Sequence, residues 1–77
     1  MKEKILKILE EIRVDVDFNN PNQKLIDDEI LDSFDIISIV GELNEAFNVD
    51  ISVDELLPEN FNSPDAMVEL ITKLQEE

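Results

Sequence analysis

Ser33 lies between two aspartates, Asp32 and Asp35, at the head of a stretch whose apolar residues recur at helical spacing. A serine acts as a nucleophile only where a base within hydrogen-bond reach accepts its proton, and the chain contains no histidine and no cysteine. The neighbouring acids also surround Ser33 with negative charge, which would oppose an oxyanion. These residues argue against a self-contained enzyme and leave the hydroxyl as a substrate for another enzyme.

The competing role for Ser33 is to cap the helix, which serine often does. Asp32 fits the capping position better, because Asp35 then occupies the third helical position, where an acid suits the helix dipole. Leu31 and Ile36 also become the apolar pair of a hydrophobic staple, whereas a cap at Ser33 would put Asp32 in the staple position. We therefore expect Asp32 to cap the helix and Ser33 to stand in its first turn with a free hydroxyl.

A free hydroxyl in the first turn of a helix suits the attachment of a phosphoryl group. The unpaired N–H groups and the dipole at that end of a helix favour an anion. Asp32 and Asp35 partly oppose the added charge, but they would suit a divalent cation brought by a transferase.

Calcium binding is a separate possibility for the segment before this helix. Asp15, Asp17 and Asn19 match the first three ligand positions of an EF-hand loop. Asn20 stands where that loop needs glycine, and Ile26 stands where it needs a bidentate glutamate. We therefore expect no calcium site.

Three longer helices and one short helix are expected to position these residues in a small all-α bundle. Apolar residues at helical spacing predict the first two helices over residues 2–14 and 33–47. Gly41 lies inside the second helix, where it costs about 1 kcal/mol relative to alanine. The core-facing stripe of that helix consists of Ile36, Ile39, Val40, Leu43 and Phe47.

A long loop over residues 15–32, with a turn cluster at 19–22, separates those two helices. Farther along, the spacing of Ser52 and Glu55 is that of a capping box, which predicts a short helix from Val53 to just before Pro58. The last helix opens at 63–65, with a serine cap followed by proline. The loop residues expected to pack on the core are Phe18, Leu25, Ile26 and Ile30.

Negative charge is concentrated in the second part of the chain. Residues 1–24 carry five bases and five acids, whereas residues 25–72 carry 13 acids and no base, and the whole chain has a net charge of −14. Such a field repels nucleic acid and anionic membranes and attracts basic protein surfaces. Solubility explains a high net charge but does not explain so long a run without a base. We therefore expect basic protein partners.

The length of 77 residues suits one small domain, which we expect to span residues 1–77. The chain has no apolar run of about 18 residues, no signal-peptide pattern at its N-terminus and no cysteine. We expect a cytoplasmic monomer that does not insert into membranes. Because the chain starts at methionine and lacks linker-like ends, we also expect it to be free-standing.

Residues 32–52 resemble the core signature of acyl carrier proteins and related phosphopantetheine carrier domains. That signature is Asp-Ser followed by an apolar residue, an acidic amphipathic helix that ends in Phe, and an extended segment with a central Ile. The matching residues here are the tripeptide at 32–34, Phe47 and the segment at 49–52. The similarity extends through the acidic composition, the long first loop and residues 63–71, so it covers essentially the whole chain.

The resemblance implies that Ser33, with Asp32 as the adjacent acid, accepts 4′-phosphopantetheine from coenzyme A through a phosphopantetheinyl transferase. Acyl or aminoacyl cargo would be held on the arm as a thioester. Ligases would load the cargo, and synthases or transferases with basic docking surfaces would take it. The chain would be a carrier of the acyl-carrier type and not an enzyme.

Several positions depart from the pattern of fatty-acid carriers. Ile30 stands where a glycine is often found, and Ser38 and Asn44 stand where those carriers often have acids. The form Ile-Leu-Asp-Ser-Phe is more similar to stand-alone carriers that serve amino-acid loading, such as D-alanyl or peptidyl carriers, or specialised secondary metabolism. The cargo stays open at this point.

The resemblance also implies a docking surface along the second helix and the segment after it. Phe34 lies off the core stripe and has two open roles, which are contact with partner enzymes and packing against the loop at 15–32. Acids at the edge of such a surface govern association rate and salt dependence more than affinity. The residues assigned to docking are Phe34, Asp35, Gly41, Glu42, Glu45, Asp54 and Glu55.

An unmodified acidic interaction module is the alternative function. Such a module would compete with nucleic acid for a basic protein. It would use Ser33 only as an ordinary helix-start residue, so that a Ser33→Ala variant would keep all partner binding.

Overall fold

Four α-helices and one 3₁₀ turn make up the described part of the protein, a computed structural model that covers residues 1–20 and 23–76. The helices are α1 (Lys2–Ile12), α2 (Ser33–Phe47), α3 (Pro58–Phe61) and α4 (Pro64–Gln75), and the 3₁₀ turn is Val53–Glu55. The predicted small all-α bundle of three longer helices and one short helix is confirmed. Residues 21 and 22 of the predicted turn cluster lie outside the described residues. No helix in the described ranges is long and apolar enough to cross a membrane.

One buried core joins the helices, and it is built from the apolar stripe of each. The predicted stripe of α2 contributes Ile39 and Leu43 as fully buried side chains. Phe18 and Leu25 bring the long first loop into the same core, as predicted, and Ile26 and Ile30 pack against it while partly exposed. Full burial of such a side chain contributes roughly 1.5–3 kcal/mol, so the loop adds to the stability of the bundle. The other buried members are Ile5, Ile8, Leu9, Leu31, Ile51, Phe61, Met67, Leu70 and Ile71.

Asn62, between α3 and α4, holds the second half of the long loop in place. Its backbone carbonyl accepts a hydrogen bond from the Leu25 N–H at 2.8 Å. Its Oδ1 atom accepts from the N–H groups of Ile26 and Asp27, both at 3.0 Å. These bonds supply partners to backbone groups that lack a regular helix, so the chain is fixed shortly before it enters α2.

The first helix is shorter than predicted. It ends at Ile12 and not at residue 14, because Arg13 leaves helical geometry with φ −130° and ψ 88°. The N–H of Arg13 still donates to the Leu9 carbonyl at 2.9 Å, while its side chain turns toward the start of α2.

The short helix predicted from Val53 to just before Pro58 does start at Val53, but it is a 3₁₀ turn of three residues, Val53–Glu55, and not an α-helix. Only the 3₁₀ turn forms there, and the Ser52 hydroxyl lies 3.3 Å from Glu55 Oε1 without accepting a backbone N–H. The short α-helix begins at Pro58, since proline suits the first position of a helix and keeps the residue before it extended.

The last helix does start as predicted, with the Ser63 hydroxyl accepting from an N–H in the first turn.

Gly41 allows a test of α2 that leaves the core untouched. It is exposed, and a Cβ atom built on it would meet no atom within 4 Å. Gly41→Ala should therefore raise the free energy of unfolding by about 1 kcal/mol through helix propensity alone. Equilibrium urea unfolding measures this, and Glu42→Gly at the next exposed position is the control, with a loss of similar size. A lower stability for Gly41→Ala would contradict the open surroundings of this position.

Candidate functional site

A reciprocal capping box fixes the start of α2. Asp32 Oδ1 accepts from the Asp35 N–H at 2.9 Å, and Asp35 Oδ2 accepts from the Asp32 N–H at 3.2 Å. Asp32 is therefore the cap, as the sequence predicted. The return bond from the Asp35 carboxylate was not anticipated. Two N–H groups that the helix leaves without partners are satisfied in this way.

Ser33 is the first residue of α2, and its side chain is exposed. Its hydroxyl makes no hydrogen bond to any residue in the described ranges. The other serines differ, because Ser63 caps α4, Ser52 pairs with a glutamate and Ser38 lies in the middle of α2. Of the four serines, Ser33 alone combines an unpaired hydroxyl with a helix start, where free N–H groups and the dipole stabilise an attached anion.

Arg13 supports the same helix start from outside. Its Nη1 atom donates to Asp35 Oδ2 at 2.6 Å and to the Ile30 carbonyl at 3.0 Å, while Nε and Nη2 donate to the two oxygens of Asp15 at 3.1 Å. The hydrogen bonds to Asp15 and Asp35 raise the pKa of Arg13 above its usual value. The bond from Arg13 lowers the pKa of Asp15. Arg13 and Asp15 are therefore charged at neutral pH.

Asp35, which the sequence assigned to docking, is less exposed than its place on the polar face of α2 predicts. The Asp35 side chain is only 15% exposed, because its carboxylate lies between the Arg13 guanidinium and the Asp32 N–H. Its position in the capping box turns the carboxylate back toward the helix start, within reach of Arg13. Asp35 Oδ2 is thus held at the helix start by two donors, and the docking role of Asp35 stays a prediction.

An open groove of about 340 Å³ begins beside Ser33, and Ile36, Ile37 and Leu56 form the rest of its lining. Ile37 is 66% exposed and Leu56 is 40% exposed, which leaves apolar surface next to the serine. Phe34 is 81% exposed. Of its two open roles, packing against the first long loop is therefore excluded.

The other predicted docking residues lie on two different sides of α2. Glu42 and Glu45 line a second groove, between α1 and α2, that also contains Lys4 and Lys7. Gly41 is exposed on the outer face of the helix. On the 3₁₀ turn, Asp54 is exposed and Glu55 is partly buried. These acids therefore do not form a single edge, and two of them have lysines close by.

Sequence reasoning missed Arg13, Ile37 and Leu56 as residues of this region. Ile37 could have been found, because it lies off the core stripe one turn after Phe34. The apolar residues Val53, Leu56 and Leu57 are all exposed at 40% or more. The sequence indicated Arg13 less clearly than Ile37, only through its being the one base between residues 8 and 23.

A helical bundle that presents an unassisted serine at a helix start, beside an open apolar groove, belongs to the class of carrier domains. The groove borders Ser33, and the helix start beside it suits an attached anion. The family model described as "Phosphopantetheine attachment site" matches residues 3–76. The chain belongs to this family, which confirms the resemblance seen in the sequence.

Two curated relatives extend this comparison over the full chain. The D-alanyl carrier protein of Lactobacillus delbrueckii subsp. bulgaricus is 30% identical over 77 residues, covering 100% of this chain and 96% of the relative. The D-alanyl carrier protein of Bacillus cereus is 27% identical over 75 residues, covering 96% of this chain and 95% of the relative. The chain is thus a carrier protein that holds intermediates as thioesters on covalently attached 4′-phosphopantetheine. It is a substrate of phosphopantetheinyl transferases and ligases and not a catalyst.

Proposed function

We propose that Ser33 is the residue to which the arm is attached and that the cargo is an aminoacyl group. The observation that supports the attachment residue most strongly is the exposed, unpaired Ser33 hydroxyl in the first turn of α2. In the attachment step, a bond forms between Ser33 Oγ and the phosphorus of the pantetheine arm. The pyrophosphate bond of coenzyme A breaks, adenosine 3′,5′-bisphosphate leaves, and the hydroxyl proton passes to a base of the transferase.

The arm supplies the thiol that the chain lacks, and the protein supplies the surface that partner enzymes recognise. We define the docking surface as Phe34, Ile37, Gly41 and Leu56, all exposed and all on α2 or on the segment that follows it. Exposed apolar side chains in such proximity are typical of binding surfaces. Asp54 and Glu55 lie on the segment that follows α2, and Glu42 and Glu45 lie on another side of α2. Their negative charge would attract partners with basic surfaces and increase association rates.

An aminoacyl cargo is favoured by two observations. Both relatives described above are D-alanyl carrier proteins, so a D-alanyl group is the specific cargo that we propose. The groove beside Ser33 is open, and Ile39 and Leu43 of the same helix are fully buried in the core. A small aminoacyl group needs no enclosed tunnel, whereas a long acyl chain would stay in contact with water.

The proposed setting follows from this chemistry. The partners would be a phosphopantetheinyl transferase, an aminoacyl ligase and a transferase that takes the loaded cargo. We propose that the chain acts as a monomeric single domain over residues 1–77 in the cytoplasm, because coenzyme A, the donor of the arm, is available there.

Modification by a broad-specificity phosphopantetheinyl transferase tests the attachment residue. The apo protein is incubated with coenzyme A and Mg²⁺ and then weighed by intact mass spectrometry. The wild type should gain the mass of one phosphopantetheine group, Ser33→Ala should gain none, and Ser38→Ala, the matched control on the same helix, should gain as much as the wild type. An equal gain in Ser33→Ala would reject Ser33, and no gain in any variant would favour the unmodified interaction module.

Phe34→Ala tests the docking surface. Because Phe34 is exposed, its truncation should leave the melting temperature unchanged while it raises the KM of the transferase for the carrier roughly tenfold through lost apolar contact. Val14→Ala is the control, since Val14 is 87% exposed and lines neither groove near α2. Steady-state kinetics measure both variants. Equal KM values for Phe34→Ala and Val14→Ala would contradict the docking role.

Loading with two different thioesters tests the cargo class. The same transferase can attach alanyl-pantetheine or octanoyl-pantetheine when it is given the corresponding coenzyme A thioester. Because the groove beside Ser33 is open to water, the octanoyl form should melt at the same temperature as the alanyl form. A clearly higher melting temperature for the octanoyl form would mean that the chain is buried in the protein, since a group that binds only the native state stabilises it. That result would contradict an aminoacyl-specific carrier.

A further inference from the structure

Arg13 lies outside α2 but contacts the residues that define its start. Its guanidinium donates hydrogen bonds to the Ile30 carbonyl, 17 positions farther along the chain, and to the Asp35 carboxylate, 22 positions farther along. Its side chain is 29% exposed, and the Asp35 side chain is 15% exposed, so the pair is shielded from much of the solvent. Screening by water and salt is weaker for such a pair than for one on the open surface.

Ser33 stands between the two members of the capping box, and Arg13 holds one of them. Asp35 Oδ2 accepts from Arg13 Nη1 and from the Asp32 N–H together. Without Arg13, the Asp35 carboxylate would keep only one donor, the neutral N–H of Asp32. It would still lie close to the negatively charged side chain of Asp32. No base in residues 25–72 could replace the lost charge. The carboxylate would then turn toward water, and half of the capping box would be lost.

We propose that Arg13 is a positioning residue for the modification of Ser33, acting through Asp35, and that it also offsets the Asp35 charge next to the attached phosphate. This inference rests on the proposed role of Ser33 as the attachment residue. By holding the capping box closed, Arg13 keeps the backbone of Ser33, and with it the Cα–Cβ bond that carries the hydroxyl, in one position for the transferase. Small displacements of a reacting group cost large factors in rate, so the effect should appear in kcat.

The attached phosphodiester gives Arg13 a second effect, which separates positioning from simple stabilisation of the fold. The phosphodiester adds a negative charge in the same helix turn as Asp32 and Asp35. With Arg13 present, the Asp35 charge is compensated in part, because the one guanidinium charge is shared with Asp15. Without Arg13, two carboxylates and the phosphodiester repel one another, so the modified form should depend on Arg13 more than the unmodified form does.

Transferase kinetics and melting curves on full-length variants test this inference. Arg13→Gln should lower the kcat for modification roughly tenfold, with little change in the KM for the carrier. Arg13→Lys should recover part of the loss, because it restores the charge with a less suitable geometry. Asp15→Asn is the matched control, since it removes the local partner of Arg13 but leaves the contacts with Ile30 and Asp35. This control should keep the wild-type kcat.

The melting temperatures of unmodified and modified proteins give the second measurement. Arg13→Gln should lower the melting temperature of the modified form more than that of the unmodified form, whereas Asp15→Asn should lower both equally. A wild-type kcat for Arg13→Gln, together with equal losses in both forms, would overturn the inference and leave the role of Ser33 intact. If Arg13→Gln does not fold, a wild-type kcat for Arg13→Lys has the same consequence. A wild-type protein that is not modified at Ser33 would instead reject the proposed attachment residue and this inference with it.

Discussion

The ion pair between Arg13 and Asp35 joins three parts of the molecule that carry the carrier site. Arg13 ends α1, Asp35 closes the first turn of α2, and the Ile30 carbonyl, bonded to the same guanidinium nitrogen, belongs to the loop between them. The charged hydrogen bond of 2.6 Å is of the strong kind, and partial shielding from water keeps it effective. We infer that the capping box, and with it the position of the Ser33 backbone, depends on this contact.

The uneven charge of the chain gives this pair its importance. The part of the chain that bears the site, residues 25–72, has no base of its own, so the base that supports it comes from the N-terminal segment. Lys4 and Lys7, in the groove that also contains Glu42 and Glu45, bring further positive charge from α1 to the side of α2. The remaining negative charge is free to attract basic partners, while the apolar surface around Ser33 provides the contact area.

The features that could be predicted from the sequence are those that local physics determines. The period of the apolar residues located α2, and the competition between Asp32 and Ser33 for the cap was resolved correctly by the staple pattern. The pairing of Arg13 with Asp35 could not be predicted, because it joins residues 22 positions apart and depends on how the long loop folds. The same limit applies to the groove at Ile37 and Leu56, which exists only once the chain after the 3₁₀ turn brings Leu56 close to α2. Pro58 was interpreted as the end of a helix although it begins one.

The central claim is that the protein acts as a carrier through one modified serine, and mass spectrometry of the protein isolated from its native cell tests it most directly. Intact mass would weigh the arm and any cargo together, and fragmentation would locate them among the four serines. We expect one phosphopantetheine group on Ser33, with an aminoacyl group on part of the population. An unmodified chain, or an arm on Ser38, Ser52 or Ser63, would contradict it.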